Sequence, residues 1–218
     1  MFSMKIIKVN SKNPKKENVE TAANILELGG VLCYPTETLY GLAANVFDIN
    51  AVQRVFEIKG RDLKKPSSIA FGDLNQAKMF LEFTPAAEKL AKKFLPGPLT
   101  IILNSKIEFD EFLGGSKVSV RIPDNPVAQA LLKEIKFPIT ATSANLSGGK
   151  NPVEAKDVVE QIGDKVDLIL DAGKCKYGKP STVVDATSEE IIIVREGVIS
   201  KSELDTELLK SLYVRYRT

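Results

Sequence analysis

The stretch ITATSANLSGGKNPVEAKDVVEQIGDKVDLIL, residues 139–170, decides the fold class. Residues 139–142 alternate apolar and hydroxyl side chains, the two-residue period of a strand. A loop rich in Ser, Asn and Gly follows, and Pro152 precedes a segment, 153–162, whose apolar residues recur at helical spacing. Residues 166–170 are again apolar and strand-like. Strand, loop, helix and strand in succession are the unit of an α/β protein.

The same alternation extends outward in both directions. Upstream, residues 5–9 read as a strand, and Asn13-Pro14 opens a helix that ends at Leu28 before Gly29-Gly30. A short strand at 31–34 leads into Pro35. Asp48 caps a helix closed by Gly60. Further segments read as a strand at 68–71, helices at 74–81 and 85–94, strands at 99–103 and 118–122, and a helix from Asn125-Pro126 to Ile135. Downstream, 182–184 and 191–194 are strands and 202–212 a helix. Neighbouring strand pairs among the alternating units predict a twisted mixed parallel and antiparallel sheet with packed helices. No long linker, repeat or low-complexity tract divides residues 1–218, so a single domain is expected.

The chain has 218 residues, 44% hydrophobic and 27% charged, and a net charge of only +2. Any anion site must therefore arise from local clustering of cations. There is no histidine, which excludes Ser-His-Asp and Cys-His nucleophiles and imidazole zinc sites. Lys, Arg, hydroxyls, carboxylates and backbone amides remain, an inventory suited to phosphoryl and nucleotidyl transfer. Cys33 and Cys175 stand apart in no metal-ligand spacing and read as reduced thiols, with a disulfide as the alternative. No apolar run reaches membrane-spanning length and no signal-peptide pattern opens the chain, so a cytoplasmic protein is expected.

Several polar clusters fall where strands should end, the edge at which open α/β sheets place ligands. PTETLYGL, residues 35–42, either grips a small polar ligand or forms a turn in which Thr36 caps backbone and Glu37 is solvated. KGRDLKKP, 59–66, clusters four cations that either complement a helix dipole or converge on an anion. VSVRIP, 118–123, puts Ser119 and Arg121 on one strand face, with Lys117 on the same face; that face is cleft or surface. The loop at 140–152 offers backbone N–H groups to an anion or simply connects, and it carries no Walker A pattern. STVVD at 181–185 and VREG at 194–197 complete the set.

PTETLYGL, KGR (59–61), PGPLT (96–100), VSVRIP, TSANLSG (142–148), STVVD and VREG occur in the order found in the YrdC-like threonylcarbamoyl-AMP synthase family, which this chain closely resembles over about residues 20–200. The resemblance implies a mixed α/β sheet around a large positively charged cavity. It also implies a reaction, in which L-threonine, bicarbonate or CO2 and ATP give threonylcarbamoyl-AMP and pyrophosphate. A downstream tRNA threonylcarbamoyl-transfer complex would then modify the adenosine beside the anticodon. By resemblance, Thr36, Arg121 and the Ala141 backbone hold threonine. Lys59, Arg61, Lys65, Lys117, Ser143, Asn145, Asn151, Ser181 and Arg195 bind ATP, Lys59 and Arg61 are the catalytic cations, and Mg²⁺ accompanies the nucleotide.

Two departures from the family pattern stand out. Some longer relatives carry a threonine-contacting histidine where this chain has Ala70, and those relatives add a linker and a second domain, so a match to the short, single-domain form is expected. Two other functions fit some of the same features. One is a non-enzymatic module binding tRNA or double-stranded RNA, aided by the tail at 213–217; the other is carbamoyl transfer from carbamoyl phosphate.

Overall fold

The computed structural model describes residues 5–62 and 65–208, together with the backbone of 214 and 215. Its first half runs β1 (Lys5–Lys8), α1 (Lys16–Glu27), β2 (Leu32–Tyr34), β3 (Gly41–Ala43), α2 (Ile49–Lys59), β4 (Ile69–Ala70), α3 (Leu74–Phe80), β5 (Leu81–Glu82), α4 (Pro85–Phe94) and β6 (Leu99–Ser105). The second half runs β7 (Lys117–Arg121), α5 (Pro126–Glu134), β8 (Ile139–Thr140), β9 (Thr142–Ser143), α6 (Ala155–Ile162), β10 (Leu168–Asp171), β11 (Thr182–Asp185), β12 (Ile191–Arg195), α7 (Lys201–Leu208) and β13 (Val214–Arg215).

Two mixed sheets form among the described residues. One has the order β1-β10-β2-β3-β9, with β1, β10 and β2 parallel and the remaining pairs antiparallel. The other runs β13-β12-β11-β6-β7-β4-β8, with β5 paired to β6. Side chains alternate across the first sheet. Leu32, Ala43, Leu168 and Leu170 pack with α1 and α5, whereas Cys33, Leu42 and Ile169 pack with α2 and α6. Both faces are therefore covered, which is why these strands read as apolar runs rather than half-polar ones. Leu99, Ile101, Val118 and Val120 of the second sheet form another core with Leu90 of α4 and Leu204 of α7.

The helix ends follow local chemistry. Asp48 Oδ1 accepts the amides of Asn50 and Ala51 at 3.0 and 3.1 Å, and Gly60 closes α2 at φ 56°. Thr84 and Asn125 cap α4 and α5, each followed by proline in the first turn. At α1 the expectation needs correcting. Asn10 Oδ1 accepts the amides of Lys12 and Asn13, so Asn13 belongs to a turn and the helix starts at Lys16 without a side-chain cap. β3 and β5 are strands that sequence patterning passed over. The helix expected at 202–212 is observed as far as Leu208; Leu63, Lys64 and the side chains of the cationic and aromatic tail lie outside the described residues.

Residues 139–142 depart furthest from expectation. The single strand expected at 139–142 is two: β8 pairs with β4 in one sheet, and β9 pairs with β3 in the other. Ala141 is the crossing point, its amide bonded to Ser68 O at 2.7 Å. Thr140 makes the break tenable, because its hydroxyl donates to Leu42 O at 2.7 Å and accepts from Ala44 N at 3.0 Å. The Leu42 carbonyl and the Ala44 amide, at the end of β3, are thereby both paired. The two sheets meet here.

Candidate functional site

A cavity of about 210 Å³ opens at this junction, with walls drawn from both sheets. Tyr34 and Gly41 come from β2 and β3, Ser143 from β9, Thr100 from β6, Arg121 from β7 and Arg195 from β12. Arg61, Arg121 and Arg195 line it, and no carboxylate among the described residues does.

The wall begins with a tight turn after β2. Thr36 Oγ1 accepts the amides of Thr38 and Leu39 at 3.2 Å each and donates to Leu39 O at 2.6 Å. This turn directs Glu37 inward, where it is 2% exposed. Its Oε1 accepts from Arg121 Nη2 at 2.8 Å and its Oε2 from the Asp124 amide at 3.1 Å. The solvated Glu37 considered from sequence is thus replaced by a buried partner of Arg121. The same Nη2 also donates to Thr38 Oγ1. Arg121 Nε is buried and has no hydrogen-bond partner. An unmade bond of that kind costs about 1–3 kcal/mol, which an acceptor on a ligand would offset.

Gly60 turns the chain so that Arg61 Nε donates to Lys65 O at 2.6 Å, Nη2 to Pro66 O at 3.0 Å and Nη1 to Thr142 Oγ1 at 3.3 Å. Arg195 Nη2 donates to Ser181 O at 2.9 Å, and Ser181 Oγ shares a 2.8 Å hydrogen bond with Thr100 Oγ1. Desolvation, and then the charge of Arg195, holds the Arg61 guanidinium below its ordinary pKa. Arg195 is lowered in the same way, by desolvation and then by Arg121. Guanidiniums stay protonated, so these directions register the cost of burial first and mutual repulsion second, both of which a bound anion would offset.

Eight of the sequence-derived site residues line the cavity: Thr36, Arg61, Arg121, Ala141, Ser143, Asn151, Ser181 and Arg195. Four do not. Lys117 is exposed at the far end of β7, four residues along the extended strand from Arg121. Lys65 is also exposed, and its carbonyl supports Arg61. Asn145 is buried and bonds within its own loop. Lys59 is 2% exposed and is absent from the lining; its ammonium donates to Ser143 O, Asn145 O and Asn145 Oδ1. The Ala141 amide is likewise occupied by Ser68. Ala70 does lie on the wall, as do Thr38, Ser68 and Thr100, which were not singled out individually. A hydroxyl amid an apolar strand, as in Leu99-Thr100-Ile101, was the available signal for Thr100.

Fold and cavity together define a class: an α/β protein with an arginine-lined cavity at the seam of two mixed sheets. The Sua5/YciO/YrdC family model, described as "Telomere recombination", matches residues 24–197, and the chain belongs to that family. It is 39% identical over 202 residues to a putative threonylcarbamoyl-AMP synthase of Methanocaldococcus jannaschii, covering 92% of this chain and 95% of the relative. It is 38% identical over 190 residues to threonylcarbamoyl-AMP synthase of Pyrococcus abyssi, covering 86% of this chain and 56% of that protein. The crystal structure of P. abyssi Sua5 complexed with L-threonine superposes with a TM-score of 0.89 at 35% identity, covering 96% of this chain and 62% of the other. The fold is therefore YrdC-like, and the chain spans little more than half of the Pyrococcus proteins.

Proposed function

We propose that this chain is a threonylcarbamoyl-AMP synthase, condensing L-threonine, bicarbonate or CO2 and ATP to threonylcarbamoyl-AMP and pyrophosphate. The observation that carries the proposal is three guanidiniums on one cavity that no carboxylate among the described residues lines. Carboxylate, carbamate and triphosphate are all anions, and a site joining them must offset their repulsion. Family membership and the threonine-bearing relative support the same assignment.

In this reading the threonine carboxylate meets Arg121, whose buried Nε gains the acceptor it lacks. Thr36 and Ala141 shape the adjoining wall. Arg61 and Arg195 take the phosphates, with Ser143, Asn151 and Ser181 beside them. Threonine's amine attacks CO2 to form a carbamate, and a carbamate oxygen displaces pyrophosphate from the α-phosphorus. Glu37 is not a free base for the first step, since both of its oxygens are engaged. A substrate phosphate oxygen or water takes that proton.

Among the described residues no group of three or more Cys, Asp or Glu side chains could hold a metal ion, and the cavity lining includes no carboxylate. The donor set therefore does not fit a protein-held cation. Mg²⁺ would arrive on the phosphates as part of the nucleotide substrate. Residues 1–218 act as one catalytic unit in the cytoplasm, feeding a tRNA threonylcarbamoyl-transfer complex. None of the described helices is long and apolar enough to cross a membrane.

Pyrophosphate release tests the proposal. It should require ATP, threonine and bicarbonate together, and release supported by carbamoyl phosphate in place of bicarbonate and threonine would contradict it.

A further inference from the structure

Lys59 is the last residue of α2, and the left-handed Gly60 ends the helix immediately after it. Its side chain turns inward to the segment that follows β9. The ammonium donates to Ser143 O, to Asn145 O at 2.8 Å and to Asn145 Oδ1 at 3.1 Å, which uses all three of its N–H groups. The main-chain carbonyl of Lys59 accepts from Ser147 N at 2.8 Å. One residue thus ties the 143–147 loop at both ends. Asn145 passes the constraint onward. Its Oδ1 also accepts from Ser143 Oγ at 2.7 Å, and its Nδ2 donates to Gly149 O at 3.1 Å and Lys150 O at 3.2 Å, next to Asn151. Ser143 and Asn151 line the cavity, whereas Lys59 and Asn145 stand behind it.

We propose that Lys59 is a positioning residue whose protonated amine, acting through Asn145, holds Ser143 and Asn151 in place for the triphosphate of the nucleotide. The assignment rests on the reading of the cavity as an ATP site.

The arrangement requires a cation. A neutral amine has two N–H groups and a lone pair, and that lone pair would face one of the three oxygens. Burial pulls the Lys59 ammonium down from 10.5 to about 7, and the charge of Arg61 adds to that effect; Cys33 of β2 would oppose it only as a thiolate. Cys33 is itself pushed up by burial and stays neutral. The loop residues 143–147 are Ser, Ala, Asn, Leu and Ser and bring no acid. The clamp is therefore only partly protonated near neutrality, and a polyanion bound against Ser143 favours the protonated form. Nucleotide binding should take up a proton at Lys59.

The test compares wild type, Lys59→Met, Asn145→Leu and the double variant in threonylcarbamoyl-AMP formation from about pH 6.5 to about pH 9. Lys59→Met should raise the KM for ATP about tenfold or more, as expected for misplaced binding groups. It should leave the KM for threonine within about twofold. The wild-type rise of KM for ATP above about pH 7 should be absent from the variant. Asn145→Leu should reproduce the KM change, and the double variant should be no worse than either single one.

Loss of active protein with both KM values and the pH profile unchanged would make Lys59 merely structural and overturn the proposal. A fall in kcat with the KM for ATP unchanged would do so as well, by assigning it to the reaction itself. Should Lys59→Met fail to fold, Asn145→Leu carries the same readouts. If wild type forms no adenylate, the ATP reading has failed separately. Inorganic tripolyphosphate binding by calorimetry then decides the clamp, and equal affinity in wild type and Lys59→Met would overturn it.

Discussion

Glu37 and Arg121, far apart in sequence, form a buried ion pair of 2.8 Å whose side chains are 2% and 10% exposed. Removing one partner of such a pair leaves an uncompensated charge and costs about 3–5 kcal/mol. Glu37→Ala should lower stability by about that much, and Glu37→Gln, which keeps a hydrogen-bond acceptor, by clearly less. Urea denaturation measures both, and equal midpoints for the two variants would contradict the pair's electrostatic role. Glu37→Ala should also raise the KM for threonine, because it removes the bond that orients the guanidinium on which the carboxylate is proposed to sit.

The crowding of Arg61, Arg121 and Arg195 makes a ligand-linked prediction. An anion that binds only the folded protein stabilises it by about 2.7 kcal/mol at one hundred times its Kd. ATP with Mg²⁺ should therefore raise the melting temperature, and Arg61→Ala or Arg195→Ala should abolish most of the shift. A wild-type melting temperature that does not respond to ATP would count against the site.

The buried amine of Lys59 makes stability depend on pH with a definite sign. Its folded value of about 7 lies below the ordinary 10.5, so between these values the unfolded chain holds a proton that the folded chain has released. Stability then rises with pH across that window. Wild type should gain on Lys59→Met as pH increases from about 7 to about 10, read from denaturant midpoints at several pH values. A difference that stays constant or shrinks would contradict the buried cation.

Substrate choice follows from the hydroxyl-bearing wall around Thr36 and Thr38. Loss of one methyl group is worth about 1–3 kcal/mol, so serine should be activated roughly 10–200-fold less well than threonine. Valine offers this polar wall no hydroxyl and should be rejected more strongly. Competition assays that rank valine equal to threonine would rule this out.

Much of the fold was legible because its signals are local. Asp48, Thr84 and Asn125 cap helices within their own first turns, and Gly60 stops α2 by a conformation other residues adopt at a cost. The motifs also located eight cavity-lining residues. What escaped was set by tertiary pairing. ITAT has the pattern of one strand, and only the positions of β3 and β4 explain why it divides at Ala141 between two sheets. Lys59 looked like a cation at a helix end, free to face a ligand; its direction is decided by oxygens that the 143–147 loop delivers from far along the chain. Glu37 likewise needs Arg121 to be understood, and the two meet only after β2 and β7 are in place.

The most direct test of the central claim is mass spectrometry of the purified protein incubated with ATP, Mg²⁺, L-threonine and bicarbonate. Threonylcarbamoyl-AMP should accumulate with wild type, carry label from labelled bicarbonate, and fall sharply with Arg61→Ala and Arg121→Ala. Absence of the adenylate from folded wild-type protein that binds ATP, or undiminished formation by both variants, would contradict the account.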